Sequence, residues 1–215
     1  SSPKSQNLIE EAHRVRPTSG LEFVSSRHFP EEVQGDLLIN NTISFLGTKQ
    51  HKFIGKGTGY ESKHRQDLIV GTDPNFRPVD MEFAPDGSLY VVDWHNVLVG
   101  HMQHNARDPL RDHAHGRIYR VTYPSRPLVV PASIDGESIA VLLDHLKLPE
   151  YRTRYRSRRA LRGKDADLVS AALKVWVANL DPNDQAYDHH LLEALWVSWG
   201  NNQITHKFHN RNEFY

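Results

Sequence analysis

Met81-Glu82-Phe83-Ala84-Pro85-Asp86-Gly87-Ser88-Leu89-Tyr90-Val91-Val92-Asp93 is two short strand-forming runs around a tight turn. Proline presets one backbone dihedral at the turn and glycine supplies a positive φ, so the stretch reads as a β-hairpin. The same arrangement stands earlier. Leu21-Glu22-Phe23-Val24 leads through a turn ending at Gly35 into Leu37-Leu38-Ile39-Asn40-Asn41. The offset of about 50 to 60 residues is the spacing expected of propeller blades. Two unrelated hairpins of similar composition are the alternative. The strand run at Leu37 already begins by Asp36, and Leu68–Val70 and Arg117–Val121 are further strand-like runs, set apart by turn signals such as His28-Phe29-Pro30 and Thr72-Asp73-Pro74-Asn75. Residues 20–123 are therefore expected to form antiparallel strands in two blade-like sheets, with exposed sheet edges.

From about Gly136 the period becomes helical. Ile139, Leu142, Leu143 and Leu146 share one face, then Leu168, Ala172, Val175 and Trp176, then Leu191, Leu192, Leu195, Trp196 and Trp199. Pro149 and Pro182 suit first helical positions, and Asp165 and Asp181 suit N-caps. Four helices of about 12 to 16 residues joined by short connections predict two antiparallel hairpins, as in HEAT-like repeats. The expected fold class is mixed: antiparallel β-propeller blades forming a partial propeller (1–131), followed by α-helical HEAT-like hairpins (132–215). Residues 201–215 show no period and read as an irregular tail. Pro124, Pro127 and Pro131 predict a stiff, extended stretch between the two halves. With no signal-like start and with two hairpins being few for a solenoid, the chain reads as a fragment of a larger protein.

Composition narrows the chemistry. Lys+Arg and Asp+Glu number 26 each among 215 residues, so no long-range field draws in nucleic acid or an anionic membrane. The stripe Arg152, Arg154, Arg156, Arg158, Arg159, Arg162 is local and reads as a solvated helix face. With no base-reading motif beside it, no nucleic-acid partner is expected. No segment approaches 18 consecutive apolar residues, so no membrane span is expected. The sequence has no cysteine, which excludes disulfides, thiolate metal sites, Cys nucleophiles and covalent haem within the chain.

The unusual stretch is 93–116, which joins two strands with far more residues than a hairpin needs. Five of the 14 histidines, His95, His101, His104, His113 and His115, lie in it. Trp94, Val97, Leu98, Val99 and Met102 argue against disorder and predict that the loop folds back over the strand ends, with Trp94, Leu98 and Met102 buried. In an antiparallel blade this loop shares its end with the connector Thr72–Asp80. Arg77 and Asp80 are therefore expected to face the same side as the His-rich loop, with several of its imidazoles within side-chain reach, a convergence suited to anionic ligands or acid–base work. The bland readings stand beside these. The His pairs are weak metal-ligand patterns, so no residue is assigned to a metal. Arg107, Asp108, Arg111 and Asp112 alternate in sign as a salt-bridge lattice would.

Ser25-Ser26-Arg27-His28-Phe29-Pro30-Glu31-Glu32, Gln34-Gly35-Asp36, Thr72–Asp80 and Asp93–Val121 resemble the large PVC-type membrane-bound dehydrogenases of bacteria. Arg152–Leu161 and His189–Trp196 resemble their helical repeats, so the likeness spans about 18–199. It implies a propeller similar to the quinoprotein glucose and sorbosone dehydrogenases, followed by HEAT-like repeats and a cytochrome c domain. It further implies a sugar or alcohol dehydrogenase, with a sugar or polysaccharide as substrate, in the periplasm or cell envelope. Pyrroloquinoline quinone and calcium become candidate cofactors of the longer parent, neither of them fixed by these residues. In that scheme Arg77, His95, His101, His104, His113, His115 and Arg117 contact substrate or cofactor carboxylates, while Asp80 and Asp93 orient them. The catalytic base stays unassigned. A non-catalytic carbohydrate- or protein-binding scaffold is the alternative, and a propeller lactonase with a central calcium a third reading.

Overall fold

A computed structural model describes residues 18–97 and 108–203. The chain divides into two compact units, Ser1–Val129 and Val130–Tyr215.

The first unit holds seven strands in two antiparallel meanders. β1 (Thr18–Phe23), β2 (Leu37–Asn41), β3 (Gly47–Lys56) and β4 (Gly59–Val70) form one sheet in chain order. β5 (Pro78–Phe83), β6 (Leu89–Asp93) and β7 (Arg117–Val121) form the other. The two hairpins read from the sequence are both present: Phe23 pairs with Leu37, and Phe83 with Leu89. At the second turn Gly87 N–H donates to the Ala84 carbonyl at 2.9 Å, and Gly87 has φ +82°. A Cβ there would stand 2.6 Å from Ser26 Oγ, so both the backbone and the space call for glycine.

The first turn is built around Gln34. Its Nε2 donates to the carbonyls of Ser26, Phe29 and Pro30, and its Oε1 accepts from Ser26 N–H. Ser26 Oγ donates to the Gly87 carbonyl at 2.7 Å, which links the two hairpin turns. His28 is buried and accepts at Nε2 from Tyr123 N–H. Its proton therefore sits on Nδ1, which donates to the Pro127 carbonyl at 2.9 Å. Much of the string from Ser25 to Asp36 thus ties one sheet to the other. Between the sheets, Val24, Phe29, Leu38, Met81, Phe83, Leu89 and Val91 make a shared apolar core.

Two strands exceed the sequence reading. β3 and most of β4 carry no apolar alternation, yet Gly47 through His51 are all buried. Polar pairing replaces the apolar signal. Lys49 Nζ donates to Asp67 at 2.8 Å and lies 3.8 Å from the centre of the Phe45 ring. Gln50 and Arg65 both donate to the buried Asp36.

The second unit contains α1 (Ile139–Asp144), α2 (Tyr151–Arg162), α3 (Ala166–Ala178) and α4 (Tyr187–Gly200). Each helix packs on its chain neighbour within a pair, α1 on α2 and α3 on α4. The pairs stack through α1 on α3 and α2 on α4. Leu142, Leu143, Leu146, Leu161, Val169, Leu173, Trp176 and Val197 fill the core. Asp165 caps α3 as expected, accepting from Asp167 and Leu168 N–H. Asp181 instead closes a turn with Asn183, and α4 begins only at Tyr187. α1 is shorter than expected, because the chain tightens into a 3-10 turn at His145–Lys147.

His190 is buried edge-on against Trp176, with ring centres 6.2 Å apart. Burial pulls both His189 and His190 below the ordinary imidazole value. The unfolded chain therefore binds more protons than the folded one as pH falls through about 6.5, and acid disfavours the fold. Melting curves are expected to show stability rising with pH across that window, and His190→Gln should flatten the slope. An unchanged slope in that variant would dismiss His190 as the cause.

Candidate binding site at the strand ends

The three strands of the second sheet bring Pro78, Asp93 and Arg117 into register at one end. Along β6 the alternation places Leu89, Val91 and Asp93 on the buried face, so the hydrophobic pattern that builds the core delivers a carboxylate to its rim. Asp93 is 1% exposed. Its Oδ1 accepts from the backbone N–H groups of Arg77 and His95, each at 2.7 Å. The ladder runs on beyond the strands, since Trp94 N–H donates to the Arg77 carbonyl and Asn96 N–H to the Asn75 carbonyl, both at 2.9 Å. One carboxylate oxygen thus fastens the connector before β5 to the start of the long loop after β6.

Burial raises the Asp93 carboxyl above its ordinary value, against the Arg77 N–H and the charges of Arg117 and Arg77. Its Oδ2 has no hydrogen-bond partner among the described residues and lies 3.9 Å from His95 Nδ1. His95 is buried and adopts φ +49°, a left-handed conformation uncommon for a residue with a side chain. Its Nδ1 accepts from the Arg117 guanidinium, which leaves the ring proton on Nε2.

Arg77 is buried, and burial lowers its guanidinium from the ordinary value, against Asp93 and Asp73. Nη1 donates to the Phe76 carbonyl and Nη2 to the Val97 carbonyl, whereas Nε has no partner among the described residues. The side chain lines a cavity of about 230 Å³ with Thr42, Ile43, Ser44, Leu46 and Pro74. The turn after β2 and the connector after β4 therefore meet at the end from which the β6–β7 loop departs. Residues 42–46 carry no charge and no motif, and only pairing in the sheet brings them there.

The remaining candidates separate. Asp80 is exposed, accepts from Met81 N–H at its own Oδ1, and backs onto Gly20 of β1. His113 and His115 stand on the exposed return arm of the loop, where His115 pairs with Asp112 at 3.0 Å. His101 and His104 lie outside the described residues, as do Leu98 and Met102. Trp94 departs from the expected burial: it is 41% exposed, with the Arg111 guanidinium 5.9 Å from its ring centre. The ring lies on the outward side of the alternation that buries Asp93. Among the described residues the site thus assembles Arg77, Asp93, His95 and Arg117.

The arrangement offers two guanidinium groups and an imidazole beside a buried carboxylate whose bound oxygen serves backbone amides. Such a donor-rich corner suits carboxylate or hydroxyl groups of a ligand. The orphan Nε of Arg77 fits an acceptor of that kind. Calcium fits less well, since no three His, Asp or Glu side chains among the described residues are placed to share a metal ion.

No helix among the described residues is long and apolar enough to cross a membrane. Comparison with curated proteins and with solved structures returns no match. The family described as a domain of unknown function, DUF7133, matches residues 2–125, the strand unit together with the candidate site. That match covers more than half of the chain, and the protein belongs to the DUF7133 family.

Proposed function

We propose that the two meanders are blades of a β-propeller and the helix pairs HEAT-like repeats in a sugar or alcohol dehydrogenase-like protein of the periplasm or cell envelope. The protein would use a quinone and pass electrons to a cytochrome. The observation that carries the reading is the gathering of Arg77, His95 and Arg117 around buried Asp93, where three inter-strand connections meet. Arg77 and Arg117 would hold carboxylates of pyrroloquinoline quinone or hydroxyl groups of the sugar, and His95 would position Arg117. Asp93 keeps the connector and loop in place through their amides. A bound quinone would supply the two-electron acceptor for alcohol oxidation. The second reading is a non-catalytic carbohydrate- or protein-binding scaffold. It is favoured by Asp93 Oδ1 being spent on backbone amides, which leaves no described carboxylate in the cluster serving as an exposed base.

The test is made on the full-length protein with quinone, calcium and a panel of sugars and alcohols, following the quinone absorption spectrum and the reduction of a dye acceptor. Quinone binding and turnover are expected. Arg117→Ala is expected to weaken quinone binding by about 10- to 100-fold through loss of a charge-assisted hydrogen bond. Sugar binding without turnover or a quinone spectrum would replace the dehydrogenase reading with the scaffold.

A further inference from the structure

The helical unit carries a second feature that the strand-end site does not use. A groove of about 700 Å³ runs between α2 and α4, lined by Tyr151, Tyr155, Arg158, Arg159, Arg162, Trp196 and Trp199, with Gly200 and Asn202 at one end. Tyr151, Tyr155 and Arg159 recur every four residues and so lie along one face of α2. From Tyr151 to Arg162 that face extends about 16 Å at 1.5 Å per residue. No acidic residue occurs within α2, which bears six arginines.

Four of these arginines fall into two classes. Arg154 and Arg158 share Glu193 as their acidic partner. Arg159 and Arg162 are exposed and have no acidic partner among the described residues. Gly200 gives Arg162 its place, since a Cβ there would stand 3.2 Å from its Nε and Nη2. The rings are largely engaged by guanidinium groups already. Arg158 lies 4.9 Å from the Trp196 ring centre, Arg159 lies 5.9 Å from Tyr155, and Arg152, Arg154 and Arg158 lie within 5.9 Å of Tyr151. Ring faces occupied in this way are poor platforms for a stacked base or sugar. What the groove presents is guanidinium groups, Arg158 and Arg159 set against aromatic rings and Arg162 beside Gly200, whose fork geometry matches carboxylates. Beside them Trp199 is 67% exposed and offers an apolar surface.

We infer that this groove is a docking site for an acidic peptide segment of a protein partner. Carboxylates pair with Arg159 and Arg162, and an apolar side chain rests on Trp199. Charge complementarity selects the partner, and the concave surface of stacked helix pairs suits an extended segment. The inference is independent of the dehydrogenase reading.

The test uses the full chain and a dye-labelled peptide of alternating Glu and Leu, read by fluorescence anisotropy at low and at physiological salt. Matched probes are a Lys/Leu peptide, an oligothymidylate and a uronic-acid oligosaccharide. Saturable binding of the Glu/Leu peptide that weakens with salt is expected. Arg159→Gln, Arg162→Gln and Trp199→Ala should each weaken it about tenfold. Lys174→Gln, an equal charge change on α3, should leave it unaltered. Melting curves of the two arginine variants should match the parent, because both side chains are exposed. Tighter binding of the oligothymidylate or the oligosaccharide would overturn the peptide assignment. Binding of no anionic probe, or insensitivity to the arginine replacements, would overturn the site itself.

Discussion

Replacing Glu193 by Ala is expected to destabilise the helical unit by about 3–5 kcal/mol, the range for removing one partner of a buried ion pair. Glu193 is fully buried on α4 and accepts from Arg154 Nε at 2.9 Å and from Arg158, while His189 Nε2 stands 3.4 Å away. Burial lowers the Arg154 guanidinium from its ordinary value, and Glu193 is the charge that opposes this. Arg154 also donates to the carbonyls of Leu148 and Pro149 at 2.7 and 2.6 Å, so the carboxylate organises the entry to α2 as well as its contact with α4. Chemical denaturation followed by tryptophan fluorescence reads the loss. Glu193→Gln keeps an acceptor and should lose less. The double change Arg154→Met with Glu193→Leu should be milder than the sum of the two single losses, because no buried charge is left alone. Additive losses would show that the groups act separately.

Asp93→Ala should remove about 2–4 kcal/mol from the strand unit, since two buried amides, Arg77 N–H and His95 N–H, lose their common acceptor. Asp93→Asn retains an acceptor oxygen without the charge, and its stability should stay near that of the parent. The two variants separate the hydrogen-bonding role from the charge. Because the folded-state carboxyl titrates above its ordinary value, the folded protein binds the proton more tightly than the unfolded one. Stability of the parent should therefore fall as pH rises from about 4 through that raised value, and Asp93→Asn should lack this component. Urea titrations of both proteins between pH 4 and 7 measure it. Parallel pH profiles would mean that Arg77 and Arg117 hold Asp93 ionised throughout.

Local chemistry made the two hairpins, the strand β7 and the four helical segments legible in the sequence. Pro85-Asp86-Gly87 encodes its turn, Leu89, Val91 and Asp93 share a face through simple alternation, and Asp165 caps the helix that follows it. Arg77, Asp93 and His95 could be singled out, together with Asp80 and the other loop histidines, from the connector and the long loop that share one sheet end, and Arg117 only through the family resemblance. β3 and most of β4 were not legible. Lys49 and Gln50 are buried on the polar partners Asp67 and Asp36, contributed from elsewhere in the sheet, and no periodicity records a partner 14 or 18 residues away. The start of α4 was missed because Asp181-Pro182 resembles a cap and first turn. The chain spends that signal on a separate turn before Tyr187.

The sequence by itself determined which segments are strands or helices wherever short-range sterics, turn residues or apolar period decide the matter. It also determined, through its lack of cysteine, that no thiol chemistry or covalent haem resides in this chain. Only the tertiary structure decided which charged groups meet. It joined Arg117 to His95, turned Asp80 toward β1, left Trp94 outside, and set Arg154 and Arg158 on Glu193 while Arg159 and Arg162 face an open groove. Local conformational preference acts over a few residues of chain, whereas charge pairing and burial act through space.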